Sequence, residues 1–121
     1  MKVKIDTKEK MHVVMLEDEK ITANMTEQLQ KLLLDFLEQP IKNIILNFKE
    51  VKEIELKAAE LLAMIQQRFY EENHSLVFCN LNSQIAEYLD QNELLELMNI
   101  TPTESEAWDI VQMEEIEREY L

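Results

Sequence analysis

Glycine is absent from this chain of 121 residues, and proline occurs only twice. Any backbone position that needs a positive φ must therefore be filled by Asn, Asp or another tolerant residue. A P-loop, a dinucleotide fingerprint and a glycine-rich nucleotide lid are excluded, because each needs glycine where backbone approaches phosphate. Cysteine is confined to Cys79, so there is no internal disulfide, and a reducing compartment is expected. Its apolar surroundings, Leu76-Val77-Phe78, predict a small buried hydrophobe rather than a nucleophile. Basic residues are few: 12 Lys and Arg stand against 25 Asp and Glu, for a net charge of −13. Nucleic-acid binding needs clustered cations that displace phosphate counterions, so no nucleic-acid partner is expected. An anionic bilayer would repel most of the chain. Apolar runs long enough to span a membrane are also missing, and the opening MKVKIDTKEK has no apolar core of a secretory signal. The expectation is a cytoplasmic protein without direct membrane insertion.

What is present suits one globular domain, with a hydrophobic fraction of 46% and no internal repeat or low-complexity segment. Val3 and Ile5 alternate with Lys2, Lys4 and Asp6, which predicts a half-buried strand over 2–8. The run His12-Val13-Val14-Met15-Leu16 predicts a second strand in a hairpin with the first, and Glu17 to Lys20 reads as a connector. From Thr22 the period changes. Met25, Leu29, Leu32, Leu33, Phe36 and Leu37 follow one helix face, with Thr22 or Asn24 as cap and Pro40 as barrier. The run Asn43 to Phe48 is apolar and β-branched, the pattern of a strand covered on both faces. A second helix is expected over 56–72, with Ala58, Leu61, Leu62, Ile65 and Phe69 inward and Asn73-His74 as its stop. A strand over 75–79 follows, then a helix capped by Asn82 or Ser83, a strand around 97–100, and a last helix. Thr103 and Glu106 have the spacing of a capping box for that helix, which should pack Ala107, Trp108 and Val111.

The order β-β-α-β-α-β-α-β-α, with helical crossovers between the later strands, predicts an α/β domain built on one mixed sheet with helices packed on it. Its body is assigned to residues 1–113. Residues 114–121, with Ile116, Tyr120 and Leu121 among acids, form either an extension of the last helix or an acidic tail that docks.

This order of elements resembles the STAS domain, the fold of bacterial anti-sigma-factor antagonists, over nearly the whole chain. Ile21-Thr22-Ala23-Asn24-Met25 is similar to the family's first-helix entry, and the segment Ile45 to Ile54 to its central strand and linker. Leu76 to Leu81 looks like its fourth strand, and Ser105-Glu106-Ala107 like its last-helix entry. Glu55-Leu56-Lys57-Ala58-Ala59 stands where the family reads Asp-Ser-Ser-Gly-Leu. In the family the second of those serines is phosphorylated by a partner kinase, and its charge state selects the bound protein. Lys57 occupies that position and Leu56 the preceding one, so the phosphoacceptor is absent from its usual place. The resemblance implies a non-catalytic regulatory module without a cofactor. Its partner would be an anti-sigma factor or kinase-like regulator, or another STAS protein. The implied contact surface is Lys52, Glu53, Glu55, Leu56, Lys57, Ala58, Glu60 and Ala63, with Lys57, Glu60 and Ala63 on the exposed side of the second helix. An alternative is an accessory subunit or small-ligand-binding STAS domain of a transport system, and a homodimer is a third reading.

Other chemistry finds little support in the residues. His12 lies in an apolar strand and His74 in a turn, and they are not spaced as a metal pair. No nucleophile motif is visible, so no catalytic residue and no metal site is assigned. Six methionines, at 11, 15, 25, 64, 98 and 113, fall at or beside apolar positions and are expected to fill the core; any left outside would suit an adaptable contact patch. Ser75 and Ser83 remain as other positions where regulation could act.

Overall fold

The computed structural model describes residues 1–120, so Leu121 of the terminal segment lies outside the described residues. The strands are β1 (Val3–Thr7), β2 (His12–Leu16), β3 (Lys20–Ile21), β4 (Ile44–Asn47), β5 (Glu53–Ile54), β6 (Leu76–Cys79) and β7 (Ile100–Thr101). The α-helices are α1 (Thr26–Asp35), α2 (Leu56–Glu71), α3 (Ser83–Gln91) and α4 (Glu104–Tyr120). The main sheet has the order β1-β2-β4-β6-β7. The β1–β2 hairpin is antiparallel, and β2, β4, β6 and β7 are parallel neighbours, as helical crossovers demand.

The two sheet faces differ in depth. Val14, Leu16, Ile44, Leu46, Leu76 and Phe78 point into a large core that also takes Leu29 and Leu33 of α1, Leu62 and Phe69 of α2, and Leu89 of α3. Val13, Ile45, Val77 and Cys79 point the other way, onto Ala107 and Val111 of α4, with Trp108 partly buried beside them. Strands covered on both faces show no alternation, which is why β4 and β6 read as continuous apolar runs. Ile5 was expected inside and is 45% exposed: β1 is the edge strand, and of its apolar pair Val3 packs against the large core while Ile5 does not.

Three local outcomes depart from the sequence expectation. Neither Thr22 nor Asn24 caps α1. A 3-10 turn over Ala23–Met25 precedes the helix, and Met25 stands at its N-cap without a side-chain hydrogen bond. The connector and the linker are not free loops but the two short strands β3 and β5, paired in parallel as a second sheet. Glu19 O accepts from Lys52 N at 2.7 Å, and Ile21 O accepts from Glu55 N at 2.8 Å. The last strand is shorter and later than expected, because the amide of Gln66 engages the preceding backbone. Its Oε1 accepts from Asn99 N at 2.6 Å and its Nε2 donates to Leu97 O at 3.2 Å. Residues 95–97 are accordingly a 3-10 turn, and pairing with β6 starts only at Asn99, whose carbonyl accepts from Phe78 N at 2.9 Å.

The missing glycines leave a trace. Among the described residues, positive φ occurs at Asn73 (63°), Asn80 (58°) and Glu93 (60°). Two are filled by the residue that best tolerates this region, and Asn73 ends α2 where expected; Glu93 accepts the strain without that help. Asn82 caps α3, its Oδ1 accepting from Ile85 N at 2.7 Å. At α4, Thr103 Oγ1 accepts from Glu106 N at 3.2 Å, half of a capping box, while the Glu106 carboxylate faces that hydroxyl at 3.4 Å rather than the backbone.

Cys79 is fully buried, as its apolar run implied. Burial, with a smaller contribution from Glu104, pushes its thiol from 9.0 up to about 12. A raised thiol pKa means the folded state disfavours the thiolate. The associated stability is complete below about pH 9 and is lost as pH rises toward 12. Native protein at pH 8 should therefore alkylate with iodoacetamide only through unfolding, and rapidly in urea. Fast labelling without denaturant would contradict this burial.

Candidate functional site

The junction between β5 and α2 is held from three sides. β5 is zipped to β3, while Asn82 Nδ2 donates to Val51 O and Lys52 O at 3.4 and 3.2 Å. Glu55 occupies the N-cap of α2 with extended backbone, yet its carboxylate does not cap its own helix. It accepts from Ala23 N at 2.6 Å and so ties the turn before α1 to the start of α2. The junction is a rigid corner rather than a loose loop.

On that corner the expected site residues divide. Lys52 and Glu53 are exposed and hold surface ion pairs across the small sheet, with Glu19 at 3.3 Å and Lys20 at 3.7 Å. Such pairs contribute about 0–1 kcal/mol each, so they orient the side chains more than they stabilise the fold. Leu56 is 38% exposed, and Lys57 and Glu60 face solvent. Ala58 and Ala63 do not: both are buried, Ala58 completely. Ala63 was expected on the exposed side of α2, and this is a correction. The helix is wedged between the sheet and α1, so its buried arc is wider than one stripe and includes Ala59, Ala63 and Gln66.

Met64 takes the place that Ala63 cannot. It is 61% exposed and lies one turn beyond Glu60, so that Leu56, Lys57, Glu60 and Met64 form a strip on the outer face of α2. Sequence reading assigned Met64 to the core with the other methionines, of which Met11 and Met98 are buried while Met64 and Met113 are outside. The signal was available: of the four helical neighbours of Met64 at three and four residues, Glu60, Gln67 and Arg68 are polar and only Leu61 is apolar. On the β3–β5 side of the corner lies an open cleft of about 240 Å³ lined by Lys20, Lys52, Glu55, Gln84, Ile85 and Tyr88.

The histidines are structural in geometry. His12 Nε2 lies 2.8 Å from Ile41 O, and Nδ1 lies 2.8 Å from Thr7 Oγ1. A carbonyl only accepts, so Nε2 is the donor to Ile41 O. Burial, with the nearby Lys42 and Arg118 cations, lowers the pKa of His74. Ser75 is fully buried, whereas Ser83 is exposed at the first position of α3. Among the described residues no group of three His, Cys, Asp or Glu side chains could hold a metal, and no helix is long and apolar enough to cross a membrane.

Comparison with known proteins agrees with this architecture. The family model for the STAS domain matches residues 2–107. No curated protein matches the chain. Among solved structures, an anti-sigma-factor antagonist (STAS) domain protein from Planctomyces limnophilus superposes with a TM-score of 0.77 at 15% identity, over 91% of this chain and 97% of that one. The Bacillus cell fate determinant SpoIIAA in its phosphorylated form gives 0.66 at 16% identity, over 91% and 99%. The murine solute carrier 26 family member A9 anion transporter gives 0.71 at 14% identity, over 85% of this chain and 18% of the transporter. At these identities the structures share the fold, and the match to the family model covers most of the chain. The mixed sheet, the order of its elements and that match together place this chain in the STAS domain family.

Proposed function

We infer that the chain is a non-catalytic regulatory module of the anti-sigma-factor-antagonist type that binds another protein through the β5–α2 corner. It does so without a phosphorylation switch at the usual position. The observation that carries this reading is the strip Leu56, Lys57, Glu60 and Met64, a mixed apolar and charged surface on a rigid helix start. Exposed leucine and methionine beside fixed charges are the composition of a contact patch, in which apolar groups supply affinity and charges set orientation. Lys57 replaces a switchable position by a permanent cation near the positive end of the helix dipole. That placement costs the helix about 0.3–1 kcal/mol, so it gains nothing for stability. The partner would be an anti-sigma factor, a kinase-like regulator or another STAS protein, met inside the cytoplasm.

Lys57→Glu reverses the charge and relieves the unfavourable dipole. Its thermal midpoint should be equal to or slightly above that of wild type, while partner affinity falls about tenfold or more. Capture of interacting proteins from native lysate by both forms, read by mass spectrometry, measures the second effect. Retention of the same proteins by both forms would remove Lys57 from the contact. The cleft at the corner supports a second reading, a small-ligand-binding STAS domain that serves a transport system. Saturable heat on titration with nucleotide at micromolar concentration would favour it over the first.

A further inference from the structure

The outer face of α4 lies on the opposite side of the sheet from α1 and α2, and the interaction reading above does not use it. The inner face of α4 is Ala107 and Val111, joined lower down by Glu114 and Arg118, whose side chains turn toward Tyr70 and Ser75. Opposite that line stand Met113, Ile116 and Tyr120, exposed by 55%, 56% and 82%. Their spacing of three and then four residues is that of the a and d positions of a heptad, so they form one seam pointing away from the domain. Three large apolar groups in register, each more than half exposed among the described residues, form a patch and not scattered exposure.

The rim of the seam decides what can cover it. Glu117 and Glu119 occupy the flanking e and g positions, and Asp109 stands at the seam's upper end. The basic residue of this helix, Arg118, is turned inward with its guanidinium on Ser75 Oγ at 2.9 Å. A second copy is disfavoured, because pairing through α4 would bring together two segments that each hold seven acids against that one arginine. We propose that the Met113–Ile116–Tyr120 seam of α4 docks an amphipathic helix of a partner protein whose flanking positions are Lys and Arg. The mode is a helix packed on a helix, with apolar knobs at the centre and ion pairs along both rims.

The probe is a fluorescein-labelled peptide of about four heptads, with Leu at a and d, Lys at e and g and Ala elsewhere. It is titrated by anisotropy against the full chain, beside a scrambled peptide of equal composition that has no apolar stripe. The striped peptide should bind saturably as a one-to-one complex, weaken as salt rises, and bind about tenfold tighter than the scrambled one. Met113→Ser with Ile116→Ser should lose about that factor while the thermal midpoint stays unchanged, since both side chains are exposed. No binding, equal affinity for both peptides, or unchanged affinity of the double variant would overturn the proposal. So would self-association of the wild-type chain that the double variant abolishes, since a second copy would then own the seam. Lys57→Glu should leave peptide affinity unchanged, so failure here and failure at the β5–α2 corner are read separately.

Discussion

Phe78→Ala is expected to lower the unfolding free energy by about 3–5 kcal/mol, the cost of deleting an aromatic side chain from a core that closes only partly around the void. Phe78 is completely buried at the centre of β6, between Leu46 of β4 and Ile100 of β7. Its ring meets Phe48 edge to face with centroids 6.2 Å apart, a geometry that adds to the area term. A domain of this size has a total stability of about 5–15 kcal/mol, so the variant should sit close to its unfolding threshold at physiological temperature. Urea unfolding followed by circular dichroism measures the effect. The midpoint should fall with little change in slope, because the surface exposed on unfolding is nearly the same. A loss below about 1 kcal/mol would mean that the cavity collapses and that the large core is less tightly packed than its burial suggests.

Glu114→Ala should produce the second-largest effect, about 1–3 kcal/mol, through a different mechanism. The Glu114 carboxylate accepts from the Tyr70 hydroxyl at 2.7 and 2.8 Å and from Ser75 Oγ at 2.6 Å. Ser75 Oγ in turn accepts from Arg118, and Asn99 Nδ2 donates to the Tyr70 oxygen at 2.7 Å. Next to this set, Asn43 bridges Glu115, at 2.7 Å, and the backbone N–H of Ser75, at 2.8 Å. Beyond Val111 the inner face of α4 offers no buried apolar side chain, so these polar contacts are what hold its last turns to the sheet. Removing the carboxylate strands two donors, the Tyr70 hydroxyl and Ser75 Oγ, away from bulk water. Glu114→Gln, which keeps one acceptor oxygen, should lose less. Hydrogen exchange gives the local readout: amides of 112–120 should exchange faster in Glu114→Ala while β4 and β6 keep their protection. Uniform acceleration across the sheet would instead mean that α4 and the core open as one unit.

Much of the fold was legible because the elements that form it carry periodic signals. α2 begins and ends within one residue of expectation: its apolar spacing is strong and Asn73 supplies the left-handed stop. β4 and β6 were readable as apolar runs too short for helices. The small sheet was not, since β3 and β5 are two residues each and carry no period; their pairing depends on two distant segments meeting. At the candidate site, exposure was less legible than position along the chain. The likeness to the family signature located the corner at 52–59, whereas only packing shows that Ala58 and Ala63 are hidden and that Met64 is outside.

By itself the sequence determined the class of the molecule: one α/β domain, no glycine-dependent phosphate site and no internal disulfide. Those conclusions rest on composition and local spacing, which do not depend on how distant parts of the chain meet. The tertiary structure alone decided that Glu114 and Arg118, which read as part of an acidic solvated run, turn inward to Tyr70 and Ser75 some forty residues upstream. Polar side chains have no periodicity that names their partner. Their choice between water and a buried hydrogen bond is settled only when the sheet and α4 come together, because a donor removed from water must find an acceptor there.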